Sequence, residues 1–179
     1  MVERITMDKG NFLGYGNLED LELIGRTLGY DVYVEERTSM TVWVYDRNVT
    51  KRVRHIEGYM ETRYRIAAKI DMSKELDAWH IDLVKVDSRY KGKNLAVKIY
   101  KFLLKKLDIT LMAGTSASVG GRYIWNKLNK ERDVVVYAKK SPYSKFIDFP
   151  KSGKRELVSK KFDLYGTADN RATIFAVAA

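Results

Sequence analysis

The chain has no cysteine, two prolines and two histidines among its 179 residues, and each shortage closes off some chemistry. Without cysteine there is no thiol nucleophile, no thiolate zinc site and no disulfide framework, a composition compatible with a reducing compartment. With His55 and His80 as the only imidazoles, no histidine-rich metal centre is expected. No segment approaches the ~18 apolar residues of a membrane span, and the opening Met-Val-Glu-Arg-Ile-Thr-Met-Asp lacks an apolar run of signal-peptide length. The expectation is a soluble, cytoplasmic protein that does not engage a membrane. P-loop, Rossmann and Gly-x-Ser-x-Gly patterns are absent too, and Gly14-Tyr15-Gly16 reads as a turn.

What the chain has in excess is positive charge. Lys and Arg number 33 against 23 Asp and Glu, a formal net charge of +10, which favours an acidic or nucleic-acid partner. Solvated lysine-rich faces give the same balance. Lys51, Arg52 and Arg54 near Tyr59 fit either a single-strand binder or a charged sheet edge. The length fits one domain, residues 1–179, burying roughly 70% of its unfolded surface in a single core.

Periodicity divides the chain. A short strand is expected at 2–7, and Asn17 followed by Leu18, Leu21, Leu23, Ile24 and Leu28 predicts an N-capped helix over 17–28 ending near Gly29. Runs rich in Val, Tyr and Trp predict strands at 31–36, 40–45, 53–59 and 63–70. In the strand expected over Ala78–Val86, Trp79, Ile81 and Leu83 share one face, while Val84 and Val86 continue on the other parity. Either a bulge lies near Leu83–Val84 or Val84 packs on the second face. Leu95, Ile99, Phe102, Leu103 and Leu107 form one stripe and Lys98, Lys101 and Lys105 the opposite one, an amphipathic helix over Leu95–Leu107. A strand at 109–113, a helix at 118–129 and strands at 134–138 and 172–178 complete the pattern. The basic excursion at about 140–171 is too long for an ordinary connection and reads as a lid or a surface loop.

The segment joining the strand to the amphipathic helix, Val86-Asp-Ser-Arg-Tyr-Lys-Gly-Lys-Asn-Leu-Ala96, carries the functional signal. A basic, Gly-containing loop feeding a helix N-terminus can hold a pyrophosphate against main-chain N–H groups, with Lys91 and Lys93 adding charge. On the strand before it, His80 and Asp82 stand at i and i+2, projecting the same way about 7 Å apart. Imidazole titrates in the range that proton transfer near neutrality needs. The pair is either a base or the polar cover of an otherwise apolar strand.

The loop resembles the acyl-CoA-binding motif of the GNAT superfamily of N-acyltransferases, Val-x-Pro-x-Tyr-Arg-Gly-x-Gly-x-Gly/Ala. Val86, Tyr90, Gly92, Leu95 and Ala96 match, Lys91 takes the Arg position and Lys93 a variable slot, whereas Ser88 replaces the Pro and Asn94 the first Gly of the turn. The resemblance covers about residues 78–138. It implies a single-domain α/β fold with a mixed, mainly antiparallel central sheet flanked by helices, and a bulged strand exposing backbone to the pantetheine arm. It further implies an N-acyltransferase that moves an acyl group from acetyl-CoA or another acyl-CoA to an amine by direct attack. The acyl-CoA residues would be Val84, Val86, Lys91, Gly92, Lys93, Asn94, Leu95, Ala96, Ser118 and Trp125, and the base Asp82 or His80. The family's acid is a Tyr in a motif matched here by Ile124-Trp125-Asn126-Lys127-Leu128, which puts Trp125 in its place. An indole N–H donates a hydrogen bond but not a proton. Tyr123, two residues earlier and roughly 200° around the helix, is the candidate phenol under a changed register. The wording of the two helices is similar to compact phage-encoded members. The alternative expectation is an inactive GNAT-like module of viral or mobile-element origin that binds a protein or nucleic acid. The acceptor amine is not legible.

Overall fold

The computed structural model describes residues 13–19, 21–75, 77–114, 119–139, 147–148 and 173–179; the strand expected at 2–7 lies outside them. Ten strands and two helices alternate as β1 (Tyr15–Gly16), β2 (Glu22–Thr27), β3 (Tyr30–Glu36), β4 (Ser39–Arg54), β5 (Met60–Glu75), β6 (Ala78–Val86), α1 (Leu95–Leu107), β7 (Leu111–Met112), α2 (Val119–Leu128), β8 (Val134–Lys139), β9 (Ile147–Asp148) and β10 (Thr173–Ala178). The strand order is β2-β3-β4-β5-β6-β7-β10-β8-β9, with β1 on β5. The sheet is mixed and mostly antiparallel, with β6 and β7 parallel. The described residues fall into two compact units. One comprises those up to Met72 together with Leu83–Ala96, the other Ser73–Asp82 together with those from Val97 onward. Among the described residues, no helix is long and apolar enough to cross a membrane.

In the first unit, Val32, Val34, Val42, Val44, Ile66, Ala68, Ile70 and Met72 are buried. Burial alternates with less buried neighbours over Met40–Val44 of β4 and Ala68–Met72 of β5, as a half-buried pleated surface requires, while Asp31–Val34 of β3 and Ile66–Ala68 of β5 are buried on both faces. The helix expected over 17–28 is not formed. Its second half is β2, paired antiparallel with β3 from Glu22↔Val34 to Thr27↔Tyr30, with a register shift between Leu23 and Gly25. The reason is local. Leu28 and Gly29 both have positive φ, 54° and 83°, which is the type I′ pattern of a two-residue hairpin loop. Gly25 sits at φ 151°, which a helix does not allow. Leu23 and Leu28 of the supposed apolar stripe are exposed, and Leu18 and Leu21 pack instead against a small cluster of Leu13, Tyr33, Tyr45 and Ile66.

The four strands expected between 31 and 70 are three. Residues 40–45 and 53–54 belong to one continuous β4, and His55–Tyr59 is not strand but the turn into β5. Asp31, buried at the start of β3, is paired with Arg26 at 2.9 Å and Arg47 at 3.2 Å, so its charge is compensated.

In the second unit, β6 leads through α1 to the parallel β7, with Trp79↔Leu111 and His80↔Met112 in register. β10 lies between β7 and β8, antiparallel to both. Its Ile174 and Ala176 are fully buried. In α1 the buried set is wider than the expected stripe: Val97, Tyr100 and Leu104 join Ile99 and Leu103. The expected strands at 109–113 and 172–178 shorten to Leu111–Met112 and Thr173–Ala178. In the expected excursion, Ile147–Asp148 form β9 against Tyr137 and Ala138; the rest of 140–171 lies outside the described residues.

Candidate functional site

The loop after β6 is anchored by a residue that the motif leaves as a variable position. Asp87 is completely buried, and its carboxylate accepts hydrogen bonds from the Leu13 N–H (3.0 Å), the Arg89 N–H (3.1 Å) and the Arg89 guanidinium (2.9 Å from both Nε and Nη2). Burial alone raises a carboxyl pKa, but the Arg89 and Leu13 donors outweigh it and hold Asp87 below the ordinary carboxylate range. The Asp87 N–H donates to the Ala67 carbonyl at 2.9 Å. A 3₁₀ turn over Ser88–Tyr90 follows. Tyr90 is buried, donates its hydroxyl proton to Asp46 Oδ2 at 2.7 Å and meets the Tyr30 ring edge-on. Burial first, then the Asp46 carboxylate, push its phenol pKa up, so it is a structural pillar and not an acid.

Beyond it, Lys91, Gly92, Lys93 and Asn94 are exposed, while Leu95 and Ala96 are buried as the first turn of α1. Gly92 has φ 78° with nothing within 4 Å of where a Cβ would stand, and Asn94 has φ 54°. Both are left-handed, and Asn is among the residues that adopt that conformation at low cost. Lys93 Nζ lies 5.6 Å from the Tyr90 ring centroid. Val84, Lys85 and Val86 are all half-buried and Leu83 is exposed, so the alternation of Trp79 and Ile81 does not continue past Leu83.

In the second unit, His80 and Asp82 come together. His80 Nδ1 lies 2.7 Å from Asp82 Oδ1, and Ser73 Oγ donates to the same carboxylate oxygen at 3.1 Å. An ionised carboxylate only accepts, so Nδ1 carries a proton, and in the neutral imidazole Nε2 then keeps its lone pair. The Nε2 atom is buried and, among the described residues, has no hydrogen-bond partner. Gly114 sits close by: a Cβ there would fall 2.8 Å from the Ile81 carbonyl oxygen and 3.9 Å from His80 Nε2. A fixed tautomer whose Nε2 lone pair has no partner among the described residues is an arrangement that suits a proton acceptor.

The remaining expected residues are placed as follows. Trp125 is buried and meets the Tyr100 ring edge-on at 6.1 Å, while Tyr123 is about half exposed with Lys127 Nζ 5.4 Å from its ring centroid. Ser118 lies outside the described residues. Lys91, Gly92, Lys93, Asn94, Leu95 and Ala96 are contiguous in one unit, and His80 and Asp82 are joined in the other. Sequence reasoning missed Ser73 and Asp87. For Asp87 a signal existed, since an Asp preceding a Ser-led turn is a capping residue; for Ser73 none did, because its partner lies nine positions away across a strand pair.

Among the described residues, no group of three or more His, Asp or Glu is placed to hold a metal ion. Comparison with protein-family models, with curated proteins and with solved structures returns no match to this chain.

Proposed function

We propose that the protein is an N-acyltransferase that transfers an acyl group, acetyl being the first candidate, from acyl-CoA to an amine. The observation that carries the reading is the His80–Asp82 pair, whose buried Nε2 has no hydrogen-bond partner among the described residues. Asp82, braced by Ser73, holds the imidazole so that Nε2 accepts the amine proton as nitrogen bonds to the acyl carbon. The carbon–sulfur bond breaks, the products are an amide and a thiol, and the proton ends on the thiol sulfur. The loop supports the same reading by its own geometry. Exposed Lys91 and Lys93, an open Gly92 and a left-handed Asn94 precede the N-terminus of α1, whose first N–H groups have no intrahelical acceptor, a combination that suits a pyrophosphate. Acyl-CoA, when bound, supplies the activated thioester.

Calorimetric titration with acetyl-CoA and CoA tests the proposal. Micromolar binding weakened by Lys91→Ala, and thiol release in the presence of amines that His80→Gln abolishes without loss of binding, are the expected results. Absence of binding by the wild-type protein overturns it.

One observation favours a second reading, a non-catalytic module of the same kind. The position of the family's phenol acid is occupied by Trp125, buried against Tyr100. Acyl-CoA binding without thiol release across an amine panel is the result that selects this reading.

A further inference from the structure

The first unit carries a feature that acyl transfer does not use. β3 pairs with β4 only as far as Tyr30↔Asp46, and β4 continues to Arg54, where the chain turns back into β5. From Arg47 onward β4 extends beyond β3, about 25 Å of strand at ~3.3 Å per residue, as a ribbon with β5.

The ribbon's turn is built, not loose. The His55 N–H donates to the Tyr59 carbonyl (2.8 Å), the Gly58 N–H to the His55 carbonyl (2.9 Å) and the Glu57 N–H to His55 Nδ1 (3.4 Å). Gly58 takes φ 91°. This geometry lays the His55 ring on Tyr59 at 4.6 Å with 15° between planes. Tyr59 is half exposed, as is Met60, and Ile56, in the same turn, is 96% exposed.

Charge surrounds this platform. Arg52 and Arg54, at i and i+2, share a face of β4 about 7 Å apart, and Lys51 lies on the other; all three are exposed. Among the described residues, no carboxylate pairs with any of them. The acidic groups at this end are Glu57, in the turn, Glu61, which is bonded to Arg63 at 3.1 Å, and Glu19, whose charge also reaches Tyr59. With Lys51, Arg52, Arg54 and Arg63 against these three carboxylates, the local balance is slightly positive in a chain of net charge +10.

We infer that the tip of the β4–β5 hairpin binds single-stranded nucleic acid, with bases stacking on the His55–Tyr59 platform and Arg52, Arg54 and Lys51 taking the phosphates. Preordered aromatic faces beside cations that lack internal partners are the two components of sequence-tolerant single-strand binding. A membrane surface fits less well. One protruding aliphatic residue, flanked by His55 and Glu57, gives no continuous apolar face to insert.

The test is fluorescence anisotropy with a labelled oligodeoxythymidylate of about 16 nucleotides, the upper footprint of a single-strand-binding fold. The same measurement is made with a duplex of equal length and, by co-sedimentation, with phosphatidylserine–phosphatidylcholine vesicles. The inference expects binding to the single strand that weakens about tenfold in Tyr59→Ala. In the Arg52→Ala/Arg54→Ala variant the slope of log affinity against log salt shrinks by about 1.4, at ~0.7 per phosphate. Circular dichroism and the melting temperature of these surface variants should match the wild type. Absence of single-strand binding, binding that neither variant alters, stronger binding to the duplex, or binding to vesicles alone each overturns it. Acyl-CoA binding plays no part in this readout, so the two proposals fail independently.

Discussion

Two carboxylates show how a single residue is given its role by what donates to it. Asp87 and Asp82 both follow β-strand residues, but Asp87 is sealed in and receives four hydrogen bonds, whereas Asp82 is half exposed and shares one oxygen between Ser73 and His80. The first is an anchor. Replacing it with Ala strands the Leu13 and Arg89 donors, and urea denaturation should show a loss of about 3 kcal/mol, the scale of breaking a buried pair. On the proposed acyl transfer the second is a positioning residue, whose effect would reach substrate only through His80. His80→Gln should lower kcat by about 10²–10⁴-fold, the usual contribution of a general base, with acetyl-CoA affinity by calorimetry unchanged. An unchanged kcat would remove His80 from the reaction. At Gly114 the constraint is steric: a methyl group would lie 2.8 Å from the Ile81 carbonyl oxygen. Gly114→Ala should therefore destabilise by about 1–3 kcal/mol, as overpacking does, read as a fall in melting temperature.

Among the elements, the β2–β3 hairpin and the α1 surface respond in opposite ways to their local chemistry. Leu28, exposed and held at φ 54° in the hairpin loop, is the wrong residue for its conformation, since left-handed backbone costs a branched or bulky residue about 1–2 kcal/mol. Leu28→Asn gives the Asn-Gly loop that such hairpins prefer and should raise the melting temperature by about 2–4 °C. On α1, Lys101 reaches Glu131 at 2.5 Å and Asp133 at 3.0 Å, and Lys105 reaches Asp133 at 2.5 Å. The Lys105 and Lys101 ammonium groups draw the Asp133 carboxyl down to about 2. A depressed folded-state pKa stabilises above the ordinary carboxyl value and is lost as pH falls through the folded one. Asp133→Asn should thus cost less than about 1 kcal/mol at neutral pH, since the pairs are solvent-screened. That difference should vanish between pH ~4 and ~2 and shrink in high salt. A gap that persists at pH ~2 contradicts the assignment. The α1 stripe was legible because burial and helical period coincide over three turns; β2 was not, because its leucines fit a helical period by spacing while the loop and the partner strand impose pairing.

For the whole molecule, the telling strand is the last one. β10 fills the place between β7 and β8, so the strand made last in the chain supplies the ladder partners of two made earlier. Deleting residues 173–179 leaves two apolar strand edges open, which favours edge-to-edge association. Size-exclusion chromatography should show aggregation, with loss of the cooperative melt. The formal charge of +10 acts at the same scale. It sets attraction to polyanions in general, while on the proposed reading the hairpin tip is where that attraction becomes binding.

By itself the sequence determined the segments whose chemistry is local: the α1 stripe, the span of β6, the strands β3, β8 and β10 to within a residue or two, and the loop that needs left-handed backbone at positions 92 and 94. Tertiary structure alone decided what depends on partners distant along the chain. The joining of β4 into one long strand, the buried role of Asp87 beside Leu13, and the bracing of Asp82 by Ser73 are of this kind. Period and propensity report a residue's neighbours in sequence, whereas a hydrogen-bond partner 74 positions away, as Leu13 is from Asp87, is fixed only when strands pair.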